Sequence, residues 1–106
     1  MIKMFLRQLR HWKKECKKYT VQDHTEVSSI LCLAIIKEVT EVLDCTDWKL
    51  HRRKRQASRE ELLEELIDVY KFWLCLVIHH DFDLDDIERI FILKSNLVER
   101  RAQCQE

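Results

Sequence analysis

Two pairs of acidic side chains are the residues of this sequence whose spacing points most directly to chemistry. Glu38 and Glu41 are three residues apart, and so are Glu65 and Asp68. Each pair lies in a stretch that otherwise has the composition of an apolar helix. Side chains three residues apart on an α-helix lie on the same face, one turn apart. If the two helices pack together, the sequence therefore predicts four carboxylates around one point.

Carboxylates on a buried helix face are costly unless another group compensates their charge. An all-oxygen set of this kind suits Mg²⁺, with Mn²⁺ as the alternative, and a bound Mg²⁺ commonly bridges to the phosphates of a substrate. Such a cation polarises phosphoryl oxygens and lowers the pKa of an attacking water. The four side chains are therefore predicted to be both metal ligands and catalytic groups. For Glu38 and Glu41 taken alone, a helix that simply reaches the surface is an equally good interpretation.

The composition indicates which elements position these carboxylates. The 106 residues include no glycine and no proline, although hairpin turns and many loops depend on them. A hydrophobic content of 46% with 36% charged residues is typical of a folded chain rather than a disordered one. We expect one all-α domain over residues 1–106, four-helix-bundle-like, with short connections.

Apolar periodicity and capping residues predict the bounds of four helices. These are residues 2–19, a second helix capped by Thr25 and ending at Leu43 or Asp44, a third capped by Ser58 with Glu61 and ending at His79 or His80, and a fourth capped by Asp83 or Asp85. We expect His79 and His80 to complement the charge at a helix C-terminus. Residues 31–36 and 72–78 are apolar on every side of their helices, which predicts that a second subunit covers them, in a homodimer or homotetramer.

The charge and the cysteine content limit which partners and which cellular compartment we expect. Lys and Arg number 19, as do Asp and Glu, so no global field attracts nucleic acid or an anionic membrane. The basic first helix is interpreted as packing an apolar stripe on the core, and neither nucleic acid nor membrane is expected as a partner. No apolar run is long enough for a signal peptide or a membrane span. Five widely spaced cysteines indicate reduced thiols in a cytoplasmic protein, with Cys32 and Cys75 packed inside.

Cations and an aromatic residue accompany the acidic pairs. Trp48 lies between the pairs, where it either fills an edge of the core or stacks on a base. The basic cluster at residues 51–55 either binds phosphate or is simply solvated. Lys94 and Arg100 in the fourth helix would stabilise charge on leaving phosphates.

The order of these motifs resembles the all-α nucleoside triphosphate pyrophosphohydrolases, which include the MazG-like enzymes and the dimeric dUTPases. The resemblance covers about residues 30–101. It is carried by Glu38-Val-Thr-Glu41 followed by Trp48-Lys49, by Glu65-Leu-Ile-Asp68 followed by Lys71-Phe72, and by Phe91 to Lys94 with the polar run to Arg100. Lys37 stands where MazG-like enzymes usually have a second Glu, and Lys71 where dimeric dUTPases usually have His.

The resemblance implies a Mg²⁺-dependent enzyme that hydrolyses a nucleoside triphosphate, with dUTP or dCTP favoured, to monophosphate and pyrophosphate. It implies a role in cleaning the nucleotide pool, and it puts the metal on the four carboxylates. The substrate-binding residues that it implies are Trp48, Lys49, Lys71, Lys94, Asn96, Arg100 and Arg101, with Trp48 near the base. Two other interpretations of the residues stay open, a non-enzymatic helical interaction module and a nucleic-acid-binding helical protein.

Overall fold

The computed structural model describes residues 1–15, 23–46 and 57–104. Four helices occupy these ranges: α1 (Ile2–Glu15), α2 (His24–Asp44), α3 (Arg59–His79) and α4 (Leu84–Cys104). The described ranges contain no strand, so the all-α prediction is confirmed. Trp48, Lys49, the basic cluster at 51–55 and the predicted end of the first helix lie outside the described residues.

Helices α2 and α3 form an antiparallel pair, which is the main packing unit of the chain. His24 at the start of α2 contacts His79 at the end of α3. Helix α1 packs on α3, whereas α4 contacts the other helices sparsely and buries none of its residues. None of the four helices, as far as they are described, is both long and apolar enough to cross a bilayer.

Local side-chain caps begin three of the helices. The Ser58 hydroxyl accepts a hydrogen bond from the backbone N–H of Glu61 at 3.1 Å, as predicted. Asp83 and Asp86 cap α4 reciprocally, since each carboxylate accepts from the other residue's backbone N–H. The predicted cap of α2 at Thr25 is wrong. Asp23 caps this helix because its carboxylate accepts from the backbone N–H of Glu26 at 2.8 Å, which also suits the positive end of the helix dipole.

The turn from α3 to α4 is closed by Asp81 in a left-handed conformation with φ of 61°. The Asp81 N–H donates to the carbonyl of Ile78, and the Phe82 N–H donates to that of Val77. This is the Schellman arrangement that satisfies the last carbonyls of a helix, and glycine usually occupies its left-handed position. Asp serves here because it tolerates this conformation better than most residues, and the connection needs only residues 80–83.

The core lies between α1, the first half of α2 and the second half of α3. It is built from seven buried apolar residues: Phe5, Trp12, Val27, Leu31, Leu74, Cys75 and Ile78. Leu74 is the most buried, at 1% exposed.

The buried Gln8 amide donates to the Cys75 thiol sulfur at 2.9 Å, and burial raises the pKa of that thiol. The expectation of a packed thiol is therefore confirmed for Cys75 but wrong for Cys32, which is exposed, because it lies on the face of α2 that α1 and α3 leave open.

A large part of the apolar surface remains uncovered. The accessible surface is 9136 Å², against about 6300 Å² for a compact 13.0 kDa chain. The radius of gyration is 17.4 Å, against about 13 Å for a compact chain of this length. Leu33 on α2 is 64% exposed and Phe91 on α4 is 71% exposed. A single copy therefore leaves faces of α2 and α4 without the cover that apolar helix faces normally have.

Candidate metal centre

The carboxylates of Glu38, Glu65 and Asp68 meet where the second half of α2 crosses the first half of α3. One oxygen from each of the three side chains lies within 4.8 Å of the others. Opposite ligands on Mg²⁺ are about 4.2 Å apart, given metal–oxygen distances of about 2.1 Å. The three oxygens are therefore close to the spacing that one divalent cation requires.

Two carboxylate oxygens of these side chains lack partners within the part of the chain that the structure describes. Oε2 of Glu38 and Oε2 of Glu65 are inaccessible to solvent and accept no hydrogen bond. Burying a polar oxygen without a partner is costly, and more so for a charged one. A cation between the two helices would satisfy both atoms, so the donor set fits a divalent metal.

Glu41 completes the group of four that the sequence predicts. Burial raises the pKa of Glu38, and the carboxyl of Glu41 raises it further. Burial likewise raises the pKa of Glu65, followed again by the influence of Glu41. Asp68 adds to both effects. The structure thus brings all four predicted side chains together, and their roles as ligands and catalytic groups stay predictions.

Among the described residues, no lysine or arginine affects the pKa of Glu38 or Glu65 as strongly as the neighbouring carboxylates do. The charged groups that act most strongly on Glu38 and Glu65 are all carboxylates. In the described residues, the negative charge is therefore concentrated at one point and not balanced there by lysine or arginine. A bound divalent cation would relieve the mutual repulsion of these groups.

Cys45 is a neighbour of the cluster that the prediction of site residues did not include. Burial is the main reason that the pKa of its thiol is raised, and the charges of Glu65 and Glu61 raise it further. The thiol therefore stays protonated at neutral pH. The sequence did offer a signal for this position, because Cys45 follows Glu41 by four residues and this spacing keeps both residues on one helix face.

The predicted substrate cations that the structure describes do not contact the carboxylates within one chain. In the described part, the predicted substrate residues of α3 and α4 are exposed and make no hydrogen bond or ion pair with the cluster: Lys71, Lys94, Asn96, Arg100 and Arg101. Lys71 lies three residues after Asp68, on the same face of α3. Lys94 lines a groove of about 840 Å³ between α3 and α4, together with Trp73 and Phe91.

Three histidines join the far ends of α2 and α3, and the sequence did not reveal this cluster. The His24 ring Nε2 bonds to the His79 carbonyl at 2.9 Å, and the His79 ring Nε2 bonds to the His24 carbonyl at 2.8 Å. The two rings stack with centroids 3.9 Å apart. His80 contacts His24 edge-on and bonds to the hydroxyl of Ser28. These contacts align the two helices whose other ends carry the carboxylates.

Comparison with known protein families identifies a match over nearly the whole chain. A family model described as dUTPase matches residues 3–104. No curated protein and no solved structure matches the chain. The matched range includes all four helices, both acidic pairs and the cations of α4.

Proposed function

Because the chain belongs to the dUTPase family, we propose that it is a Mg²⁺-dependent nucleotide pyrophosphohydrolase. Membership in the family indicates a hydrolase that acts on nucleotides. The proposal specifies the reaction: a nucleoside triphosphate, with dUTP or dCTP preferred, is cleaved to the monophosphate and pyrophosphate. Such an activity would remove unwanted nucleotides from the precursor pool.

The observation that carries the proposal is the pair of orphaned carboxylate oxygens on Glu38 and Glu65. Both belong to one cluster of carboxylates, and the charged groups that act most strongly on these two side chains are also acidic. The Mg²⁺ that accompanies a nucleoside triphosphate would bring the positive charge that this cluster lacks, and would join the carboxylates to the phosphates. Protein sites for Mg²⁺ commonly combine carboxylates with substrate phosphates in this way.

Glu38, Glu65 and Asp68 would hold the cation, since their oxygens already approach one another. When bound, the cation supplies Lewis-acid polarisation of the phosphoryl oxygens and a water of lowered pKa. Glu41 is the carboxylate outside this closest set, yet it adjoins both Glu38 and Glu65. We assign it the role of general base that accepts the proton of the attacking water.

Basic side chains would then neutralise the departing pyrophosphate. Lys71 is the nearest candidate along the chain, because it is one turn beyond Asp68 and its side chain is exposed. The cations of α4 do not contact the carboxylates of their own chain. For Lys94 and Arg100 we propose contact with substrate phosphates only when α4 is held in place by a second copy.

The proposed assembly is a homodimer, or a homotetramer built from such dimers. The support is the surface of about 2800 Å² that one copy exposes beyond the expectation for a compact chain. Apolar side chains dominate the open faces of α2 and α4. Covering them would also fix α4, which packs only sparsely within one chain.

The direct test incubates the purified protein with each deoxynucleoside triphosphate and Mg²⁺ and measures pyrophosphate release. We expect release from dUTP or dCTP, and its loss when EDTA removes the metal. Glu41→Gln should lower kcat strongly while Mg²⁺ binding persists, because Glu41 is assigned to proton transfer rather than to the closest ligand set. Glu88→Gln removes an exposed carboxylate from α4 and is the matched control.

The enzymatic proposal fails if no nucleoside triphosphate yields pyrophosphate while the protein remains folded. That result would favour the interpretation as a non-enzymatic helical interaction module. If Glu41→Gln and Glu88→Gln retain the same activity, the assignment of the general base is wrong although the reaction itself stands.

A further inference from the structure

Four basic side chains form a straight row along α1. Lys3, Arg7, Arg10 and Lys14 follow one another at spacings of four, three and four residues. At about 100° per residue these spacings keep all four on one side of the helix. All four residues are exposed. The row extends for about 16 Å, given a rise of about 1.5 Å per residue.

The row lies opposite the side of α1 that enters the core. Phe5, Gln8 and Trp12 are the buried residues of this helix, and the helical repeat places them about half a turn away from the basic row. The cations therefore point directly to solvent rather than along the rim of the core. Packing against α3 fixes the helix that carries them.

Glu15, at the end of α1, is the one acidic residue of this helix. The segment from residue 2 to residue 14 contains five Lys or Arg and no Asp or Glu. In the described part of the chain, the four cations of the row make no ion pair and no hydrogen bond. The chain has 19 basic and 19 acidic residues, but the two signs of charge are unevenly distributed. A basic row lies on α1, and an acidic cluster lies between α2 and α3.

We propose that the basic row of α1 binds the phosphate backbone of a nucleic acid. Each strand of a duplex winds around the helix axis, so a straight row of about 16 Å suits a flexible single strand better, with one phosphate contact expected for each of the four cations. Long flexible side chains reach successive phosphates without requiring an exact match of repeat. Contacts of this kind position a protein on nucleic acid but do not read its sequence.

The observations favour nucleic acid over an anionic membrane. A helix that lies in a membrane interface inserts its apolar face among the lipids. In α1 that face is committed to the core through Phe5 and Trp12. Met4 and Leu6, which flank the basic row, are about half exposed and offer much less apolar surface. The binding expected of this row is therefore electrostatic, which departs from the expectation based on net charge alone.

The test is fluorescence anisotropy with a labelled single-stranded oligonucleotide in EDTA, at salt concentrations from 50 to 200 mM. Four phosphate contacts predict a slope of log K against log salt of about −2.8 for a single strand. The affinity should then fall about 50-fold across this range. In Arg7→Gln/Lys14→Gln the slope should halve, so the fall should be about 7-fold.

The matched control is Lys37→Gln/Arg59→Gln, which removes one lysine and one arginine from exposed positions on α2 and α3. It should keep the slope of the unmodified protein. Lys3→Gln/Arg10→Gln provides a second pair from the row and should repeat the effect of the first pair. Circular dichroism verifies that each variant is folded.

Three outcomes would overturn the proposal. The first is no binding to the oligonucleotide at 50 mM salt. The second is an equal loss of affinity in the α1 variants and in the control. The third is tighter binding to vesicles containing phosphatidylserine than to the oligonucleotide, with loss of vesicle binding in Arg7→Gln/Lys14→Gln, which would assign the row to a membrane surface.

Discussion

The substitution Phe91→Glu tests whether the uncovered apolar surface is an interface between copies of the chain. Phe91 is 71% exposed in a single copy and lines the groove between α3 and α4 with Trp73 and Val98. In a monomer, a glutamate at this position would be solvated and would change stability little. In a dimer that uses this groove, it would remove a buried ring and introduce a charge into an apolar contact.

The expected magnitude follows from the surface area. If a dimer covers half of the excess of about 2800 Å² in each copy, it buries about 2800 Å² in total, which lies within the range of permanent interfaces. A fully buried phenylalanine contributes about 1.5–3 kcal/mol. Two-fold symmetry presents the residue twice. The dissociation constant should therefore rise about 10²- to 10⁴-fold, at about 1.4 kcal/mol for each factor of ten.

Light scattering coupled to gel filtration measures this effect between 1 and 100 μM protein. We expect the unmodified chain at twice its 13.0 kDa mass or more, and Phe91→Glu as a monomer over most of the range. Ile2→Glu changes an exposed apolar residue of α1 in the same way and is the control. A monomeric unmodified chain at 100 μM would refute the argument from area, and an equal effect of Ile2→Glu would refute the choice of groove.

Further predictions concern the carboxylates and the core. Glu65→Gln should lower kcat/KM by at least about 100-fold, since a catalytic metal is worth several kcal/mol, and it should raise the Tm of the metal-free protein because it removes a repelling charge. Burial and neighbouring acids raise the pKa of Glu38 and Glu65, so the folded state binds protons that the unfolded chain has already lost. The metal-free protein should therefore gain stability as the pH falls from 7 toward the raised pKa values, and thermal melts in EDTA should show this gain diminished in Glu38→Gln. Cys75→Ala leaves the Gln8 amide without its partner and should cost about 1–3 kcal/mol in urea unfolding, whereas adding Gln8→Leu should recover most of the loss. Asp81→Val should destabilise by about 1–2 kcal/mol because a β-branched residue disfavours positive φ, and Asp81→Gly should be tolerated in the same assay.

Local signals in the sequence predicted the helical class and put each acidic pair on one helix face, whereas the convergence of the two pairs also required that α2 pack on α3. The spacing of Glu38 with Glu41 and of Glu65 with Asp68 placed each pair on one face, and the lack of glycine and proline favoured an all-α chain. The Ser58 cap was predictable because it depends on a residue only three positions away.

Features that depend on residues far apart in the sequence could not be predicted from local signals. The stacking of His24 on His79 joins positions 55 residues apart, and nothing local in either segment indicates it. Cys32 and Cys75 both lie in apolar runs, yet only the packing of α1 on α3 decides that Cys75 is the buried one. Asp23 and Thr25 are both good capping residues, so local preference alone could not choose between them.

The antiparallel pairing of α2 with α3 has a consequence for how this chain tolerates changes in length. The carboxylates are aligned by the packing of α2 against α3, and residues 47–56 are the connection between these helices in the sequence. Insertions in that connection should leave the cluster intact. One residue inserted into α2 between Leu31 and Glu38 would turn the acidic pair by about 100° relative to the anchored first half of the helix. We therefore expect natural length variation to be concentrated between the helices and excluded from their interiors.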